Sequence, residues 1–132
     1  FDLGEQDMNV PAEFKYTSDH EWIRIEGDSA TIGITDYAQG ELGDVVFVEL
    51  PDVGDEFEKG DVAATIEAVK TVADVFLPLS GSIEAVNEKL DDTSELINQD
   101  AYGDGWILKI KMSDPSELDS CMTAEEYIAS VS

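Results

Sequence analysis

The most constraining feature of this sequence is a run of short apolar segments that Gly, Pro and Asp separate from one another between His20 and Lys111. Segments this short are typical of β-strands, whereas a helix that buries one face needs a longer stretch with a period of three to four residues. The pattern therefore predicts a mainly β fold, a sandwich or a flattened barrel, in which helices are minor.

The individual strands can be placed from the turn residues between them. Gly27 and Asp28 separate two such segments and predict a hairpin, and the nearly continuous apolar run at 45–50 predicts a strand buried on both faces. A short helix is predicted over 36–42, ended by Gly43. The predicted strands are 22–26, 29–34, 45–50, 62–68, 72–77, 82–86 and 106–111.

The pattern changes after Lys111. Residues 114–117 read Asp-Pro-Ser-Glu, which places an N-cap, a proline at the first helical position and an acid in the first turn. Residues 123–126 read Thr-Ala-Glu-Glu, which is a capping box. We expect two short C-terminal helices packed on the β core.

Length and charge limit the classes of function. The chain has 132 residues, 31 Asp+Glu against 7 Lys+Arg, and a net charge of −24, so we expect one domain that binds neither nucleic acid nor an anionic membrane surface. No apolar stretch approaches the roughly 18 residues that would span a bilayer. We expect that domain to cover 8–132, with Met8 as the natural start and 1–7 a tag or disordered extension.

Few residues suit catalysis. The single cysteine, Cys121, excludes an intramolecular disulfide and fits a reducing compartment. His20 and Glu21 begin an HExxH zinc motif, but Arg24 stands where its second histidine should be. A hydrolytic triad has no spare histidine, so we expect neither a metal site nor an enzyme.

Lys70 is the most informative single residue. It lies between two predicted strands with only Thr71 before the second, so a hairpin there would hold its amine in solvent at the tip. An accessible amine on a long flexible stem suits covalent acylation, although most exposed lysines are only surface charges.

The sequence around Lys70 resembles the modification hairpin of lipoyl and biotinyl carriers: EAVKTVADV at 67–75 is followed by PLSG at 78–81. Biotinyl carriers favour Met on both sides of the lysine, and Val69 and Thr71 flank it here, as in lipoyl carriers. The resemblance extends to the glycine cleavage H-protein family through KYTSDHEW (15–22), GITDYAQ (33–39), LGDVVFVELP (42–51), NEKL (87–90), ELIN (95–98) and YGDGW (102–106).

This resemblance implies a lipoyl-domain-like fold, a barrel-sandwich hybrid, and a non-catalytic carrier with lipoic acid in amide linkage to Lys70. It implies three enzyme partners: a glycine decarboxylase (P protein), an aminomethyltransferase (T protein) and a dihydrolipoyl dehydrogenase (L protein). A lipoate ligase or an octanoyl or lipoyl transferase would attach the arm, and Glu67 would guide that enzyme. We expect a monomer, in the bacterial cytoplasm or alternatively the mitochondrial matrix.

The resemblance also implies a cleft that shelters the loaded arm. Carboxylates suit such a cleft because they pair with an ammonium group. On matching positions, Glu21 and Asp74 would supply them and Ile34 an apolar wall. The chain departs from many members by carrying Asp19 where Ser is common and Glu41 where His can occur, so Asp19 joins the expected cleft.

Three alternatives remain open at this point. An H-like protein could relay lipoyl groups to other enzymes through the same Lys70 hairpin. The chain could also be a true catalyst, or a purely structural acidic protein that carries no modification. Either would belong to a different functional class from a carrier. The acidity itself fits either docking onto basic partner surfaces or a salty cytoplasm.

Overall fold

Two antiparallel sheets form the framework of the computed structural model, which describes residues 10–131. One sheet has six strands in the order β1-β2-β3-β9-β8-β5, and the other has three in the order β4-β6-β7. The strands are β1 Lys15–Tyr16, β2 Glu21–Glu26, β3 Ser29–Ile34, β4 Val45–Glu49, β5 Glu56–Phe57, β6 Val62–Ala68, β7 Val72–Phe76, β8 Gly81–Val86 and β9 Leu108–Met112.

The predicted mainly β sandwich is confirmed, as two separate sheets and not a closed barrel. The hairpin predicted around Gly27 joins β2 to β3, and Gly27 takes the left-handed φ of +62° that such a turn requires. The expectations for 1–7 and for the natural start at Met8 lie outside the described residues.

The helices are short and lie at the ends of strands. They are α1 Asp36–Leu42, α2 Lys89–Asp92, α3 Leu96–Gln99, a 3₁₀ helix Pro115–Ser120, and α4 Ala124–Val131. The Thr35 hydroxyl caps α1 by accepting a hydrogen bond from the Ala38 N–H at 3.2 Å, and Gly43 ends the helix as predicted. Both predicted C-terminal helices are confirmed, the first as a 3₁₀ helix. The sequence did not predict α2 and α3, because no side chain caps the N-terminus of either helix.

The main core lies between the two sheets. Ile23 and Ile32 of the larger sheet and Ile66 of the smaller are fully buried there. A second cluster, in which Trp22 and Tyr127 are fully buried, fixes α4 against β1 and β2. The C-terminal helix is thereby packed beside the loop that precedes β2.

Two strand predictions are wrong in detail. The run at 45–50 is not buried on both faces: β4 is an edge strand of the smaller sheet, and an irregularity in its pairing between Val45 and Phe47 leaves the consecutive residues Val46 and Phe47 57% and 46% exposed. The last strand begins at Leu108 and not at residue 106, because the Trp106 N–H still bonds to the Gly103 carbonyl in the preceding turn.

Candidate functional site

The turn between β6 and β7 holds Lys70 at its tip. The Ala68 N–H donates to the Thr71 carbonyl at 2.8 Å and closes a tight turn with Val69 and Lys70 between them. The Val69 N–H donates to the Asp44 carbonyl at 3.0 Å, which ties the turn to the loop after α1. The hairpin is therefore anchored while the Lys70 side chain stays exposed.

The Lys70 side chain passes over a glycine. A Cβ at Gly43 would lie 3.2 Å from Lys70 Cε and 3.8 Å from Nζ, so the absence of a side chain there lets the lysine stem lie flat. Within the described residues both ion pairs involve Glu26, which leaves the Lys70 ammonium without a carboxylate partner. An amine held on an anchored turn and free of competing partners is accessible to a modifying enzyme.

A cavity of about 270 Å³ opens between β7, α1 and the loop before β2. It brings together all four residues expected in the cleft. We call it the acidic cavity, and its lining is Asp19, His20, Glu21, Ile34, Tyr37, Ala38, Glu41, Leu42, Ile66, Ala73, Asp74 and Val75.

Glu21 is the buried member of the acidic cavity. Its side chain accepts a hydrogen bond from the Thr17 hydroxyl at 3.1 Å through Oε1, while Oε2 has no hydrogen-bond partner among the described residues. The residue is only 2% exposed, and this burial raises the pKa of Glu21 to about 8, with the neighbouring Asp19 charge adding to the shift. An unpartnered buried carboxyl is costly, so this oxygen is available to a hydrogen-bond donor that enters the cavity.

The other acids lie at different places. Asp74 is exposed on β7, where the Thr65 hydroxyl donates to Asp74 Oδ1 at 3.4 Å on the same face of the smaller sheet as Glu67, and the residue also borders the cavity. Glu67 is not part of the cavity: it lies on the outer face of the smaller sheet, paired in register with Phe47 and Val72. Its position near the hairpin suits contact with an enzyme that approaches Lys70 from outside.

Sequence reasoning missed a polar network behind the cavity. His20 has a left-handed φ of +67°, and its Nδ1 lies 3.0 Å from the Tyr127 hydroxyl. That hydroxyl is 2.7 Å from Thr35 Oγ1, the cap of α1. The network joins the C-terminal helix to two walls of the cavity, and no sequence signal connects residues so far apart.

A second cavity, of about 320 Å³, lies on the other side of Glu21. Asp19 and Glu21 line both cavities, and the second one is completed by Thr17, Ser18, Lys59, Gly60, Phe76, Leu77, Pro78, Ser120, Cys121 and Met122. Lys59 Nζ donates to Ser120 Oγ at 2.8 Å there. Among residues 10–131 no group of His, Cys, Asp and Glu is arranged to hold a metal ion, and no helix in that range has the length and apolarity to cross a membrane.

The fold and the Lys70 hairpin define the class of lipoyl-carrier-like domains, and comparison with known proteins gives the family. The sequence model described as glycine cleavage H-protein matches residues 14–132. A glycine cleavage system H protein of Bacteroides thetaiotaomicron is 53% identical over 124 residues, covering 94% of this chain and 98% of the relative. The corresponding protein of Symbiobacterium thermophilum is 54% identical over 121 residues, covering 92% of this chain and 94% of the relative.

A solved structure supports the same family. The crystal structure of a glycine cleavage system H protein from Mycobacterium marinum superimposes with a TM-score of 0.85 at 38% identity, covering 92% of this chain and 98% of that one. The chain belongs to the glycine cleavage H-protein family. The family is a carrier component of glycine cleavage and not a catalyst, so the resemblance found in the sequence is confirmed.

Proposed function

We propose that this chain carries the aminomethyl group of glycine from the P protein to the T protein on a lipoyl group attached to Lys70, with the L protein reoxidising the arm. The observation that carries the proposal is the exposed Lys70 amine, which has no ion-pair partner among residues 10–131, at the tip of an anchored hairpin in a member of this family. When bound, the lipoyl group supplies a disulfide that accepts the aminomethyl group and becomes reduced.

The residues around Lys70 fit such an attachment. The turn is fixed through Val69 and Asp44, so the attachment point has a defined position, while the stem of Lys70 meets no side chain at Gly43. Amide formation removes the positive charge of Lys70, and no carboxylate among the described residues would lose an ion pair as a result. We propose that Glu67, exposed on the outer face nearby, guides the lipoylating enzyme.

The acidic cavity fits the cargo. An aminomethyl group carries a protonatable nitrogen, and Glu21 with Asp74 and Asp19 offers carboxyl oxygens that can accept hydrogen bonds from it. Ile34 forms part of the apolar wall, which keeps water from the bound group. We infer that these residues shelter the loaded arm between enzymes.

The cavity also favours glycine cleavage over lipoyl relay. A relay protein transfers the lipoyl group itself and needs no site for an ammonium group, whereas this chain keeps a buried carboxyl with an unpartnered oxygen. We place this aminomethyl transfer in the cytoplasm, since the relatives named above are bacterial and a single cysteine suits a reducing compartment.

Mass spectrometry tests the attachment site. The chain is expressed with a lipoate ligase as wild type, as Lys70→Arg and as Lys59→Arg, the last being a matched change at another loop lysine. We expect one lipoyl increment on the wild type and on Lys59→Arg, and none on Lys70→Arg. An unmodified wild type, or a Lys70→Arg chain that still gains the increment, would contradict the proposal.

Exchange of labelled bicarbonate into glycine with the P protein then tests the pathway. We expect exchange that depends on the lipoylated chain. If the lipoylated chain supports no exchange but donates its lipoyl group to another acceptor protein, lipoyl relay is the correct function.

A further inference from the structure

The burial of Glu21 has a consequence for how the acidic cavity binds a cation. Oε1 accepts a hydrogen bond from the Thr17 hydroxyl, and the Phe76 backbone is the other polar group that favours the charged carboxylate, whereas Oε2 has no hydrogen-bond partner among the described residues although the residue is only 2% exposed. A charged carboxylate in such a position would lose its hydration with only partial replacement, because Oε2 is left without a partner among the described residues.

The charged groups around Glu21 do not compensate this loss. Asp19 lines both cavities beside it, and Asp74 on β7 and Glu41 on α1 line the acidic cavity, so these neighbours add negative charge. His20 and Tyr37 also face this cavity, and the histidine Nδ1 is taken by the Tyr127 hydroxyl.

The second cavity brings one cation. Lys59 lines it together with Cys121, but the Lys59 ammonium donates to Ser120 and forms no ion pair with a carboxylate among the described residues. Burial therefore decides the charge of Glu21, and it favours the neutral carboxyl.

We propose that Glu21 holds a proton while the acidic cavity contains no cation, and that an ammonium group entering the cavity displaces this proton to solvent. The carboxyl O–H bond breaks, the proton passes to water or buffer, and the carboxylate pairs with the intact ammonium group. No group is oxidised or reduced in this step. In the working carrier the ammonium group is the one that the proposed function brings in, so the physiological role rests on that function.

The Glu21 carboxyl is then neutral when the cavity is empty and negatively charged when the cavity holds a cation. The raised pKa of Glu21 agrees with it. Cation binding must then weaken as the pH falls, because each binding event has to remove a proton that becomes harder to remove. Below the pKa of Glu21 the affinity should fall about tenfold for each pH unit, and above it the affinity should be constant.

The test uses the full unmodified chain with methylammonium chloride as the probe, and sodium chloride at equal ionic strength as the control. NMR of ¹³C-labelled glutamate follows the side-chain carbonyl of Glu21, assigned from Glu21→Gln. We expect Glu21 to titrate several pH units above the ordinary glutamate pKa of 4.5, and methylammonium to lower its midpoint where sodium does not. In Glu21→Gln, methylammonium binding should lose its dependence on pH.

Two results would overturn the inference: a Glu21 midpoint at the ordinary glutamate pKa of 4.5, or a midpoint that methylammonium leaves where sodium leaves it. Neither measurement needs the lipoyl arm or a partner enzyme. Failure of the proposed function appears separately, as a Lys70 that gains no lipoyl increment.

Discussion

Gly43 lies directly under the stem of Lys70, with a Cβ at position 43 falling 3.2 Å from Lys70 Cε. Gly43 also has φ +80° and ψ −156°, a backbone conformation that residues with a side chain seldom adopt. One glycine thus ends α1 and leaves space for the Lys70 side chain. The end of the helix and the geometry of the attachment point are coupled.

Gly43→Ala should lower the free energy of unfolding by about 1–3 kcal/mol, because the backbone is strained and the lysine must move. It should also slow lipoylation of Lys70. Urea denaturation and a time course of intact mass measure the two effects. Gly40→Ala is the matched control: position 40 is within α1 with open space around it, so alanine there should leave stability equal or up to about 1 kcal/mol higher. Equal stability of the two variants would contradict the coupling.

The pKa of Glu21 predicts a dependence of stability on pH. Its folded value of about 8 lies above the ordinary 4.5, so the folded chain holds a proton that the unfolded chain releases between these values. The stabilisation is complete below pH 4.5 and is lost as the pH rises to 8. Glu21→Gln stays neutral, so its stability relative to wild type should increase by roughly 1.4 kcal/mol per pH unit at most within this window.

Urea denaturation of both chains at several pH values from 5 to 9 checks this, since the effects of the other acids cancel in the difference. Glu67→Gln, a change at an exposed acid, should differ from wild type by no more than about 0.5 kcal/mol throughout. A Glu21→Gln difference that stays constant with pH would refute the raised pKa.

Sequence and structure agree best where a local signal determines the conformation. Gly27 and Gly43 mark the hairpin and the helix end because both need a positive φ, and the lysine hairpin follows from two strands with a minimal connection. The burial of β4 was not predictable in the same way, since apolar residues alone do not show whether a second layer covers them. The cavity acids came from the family resemblance, because no spacing rule brings Glu21 and Asp74 together.

The Tyr127 hydroxyl should contribute more to the stability of the fold than an ordinary surface hydroxyl does. It lies within hydrogen-bond distance of both His20 and Thr35, and Tyr127 is fully buried. Tyr127→Phe keeps the ring but leaves buried Thr35 and half-buried His20 short of a partner, so we expect a loss of about 1–3 kcal/mol in the free energy of unfolding. The His20 ring resonances should shift as well. Tyr37→Phe, with a half-buried ring at the cavity mouth, should change stability by less than about 0.5 kcal/mol; similar losses for both would count against the network.

Acids inside and outside the cavity should affect different steps. Glu21→Gln and Asp74→Asn each neutralise a residue that lines the acidic cavity, so loss of the aminomethyl group from the loaded carrier should accelerate by about tenfold, the equivalent of one charge-assisted hydrogen bond. Lipoylation should remain near the wild-type rate. Glu67→Gln should do the reverse, slowing lipoylation while leaving the loss rate unchanged. Release of ammonia and formaldehyde measures the loss, and a common effect of all three variants would show that the two roles are not separate.

Salt should separate the two explanations of the acidic surface. The net charge is −24, and the ion pairs among residues 10–131 involve only Glu26, so most carboxylates face solvent without a cation. If the acids dock onto basic surfaces of the partner enzymes, raising sodium chloride should increase the carrier KM of the P protein several-fold by slowing association. If they instead adapt the chain to high salt, the same titration should raise the melting temperature while KM stays constant. We expect the increase in KM, and a constant KM with a rising melting temperature would assign the acidity to the solvent in which the chain folds.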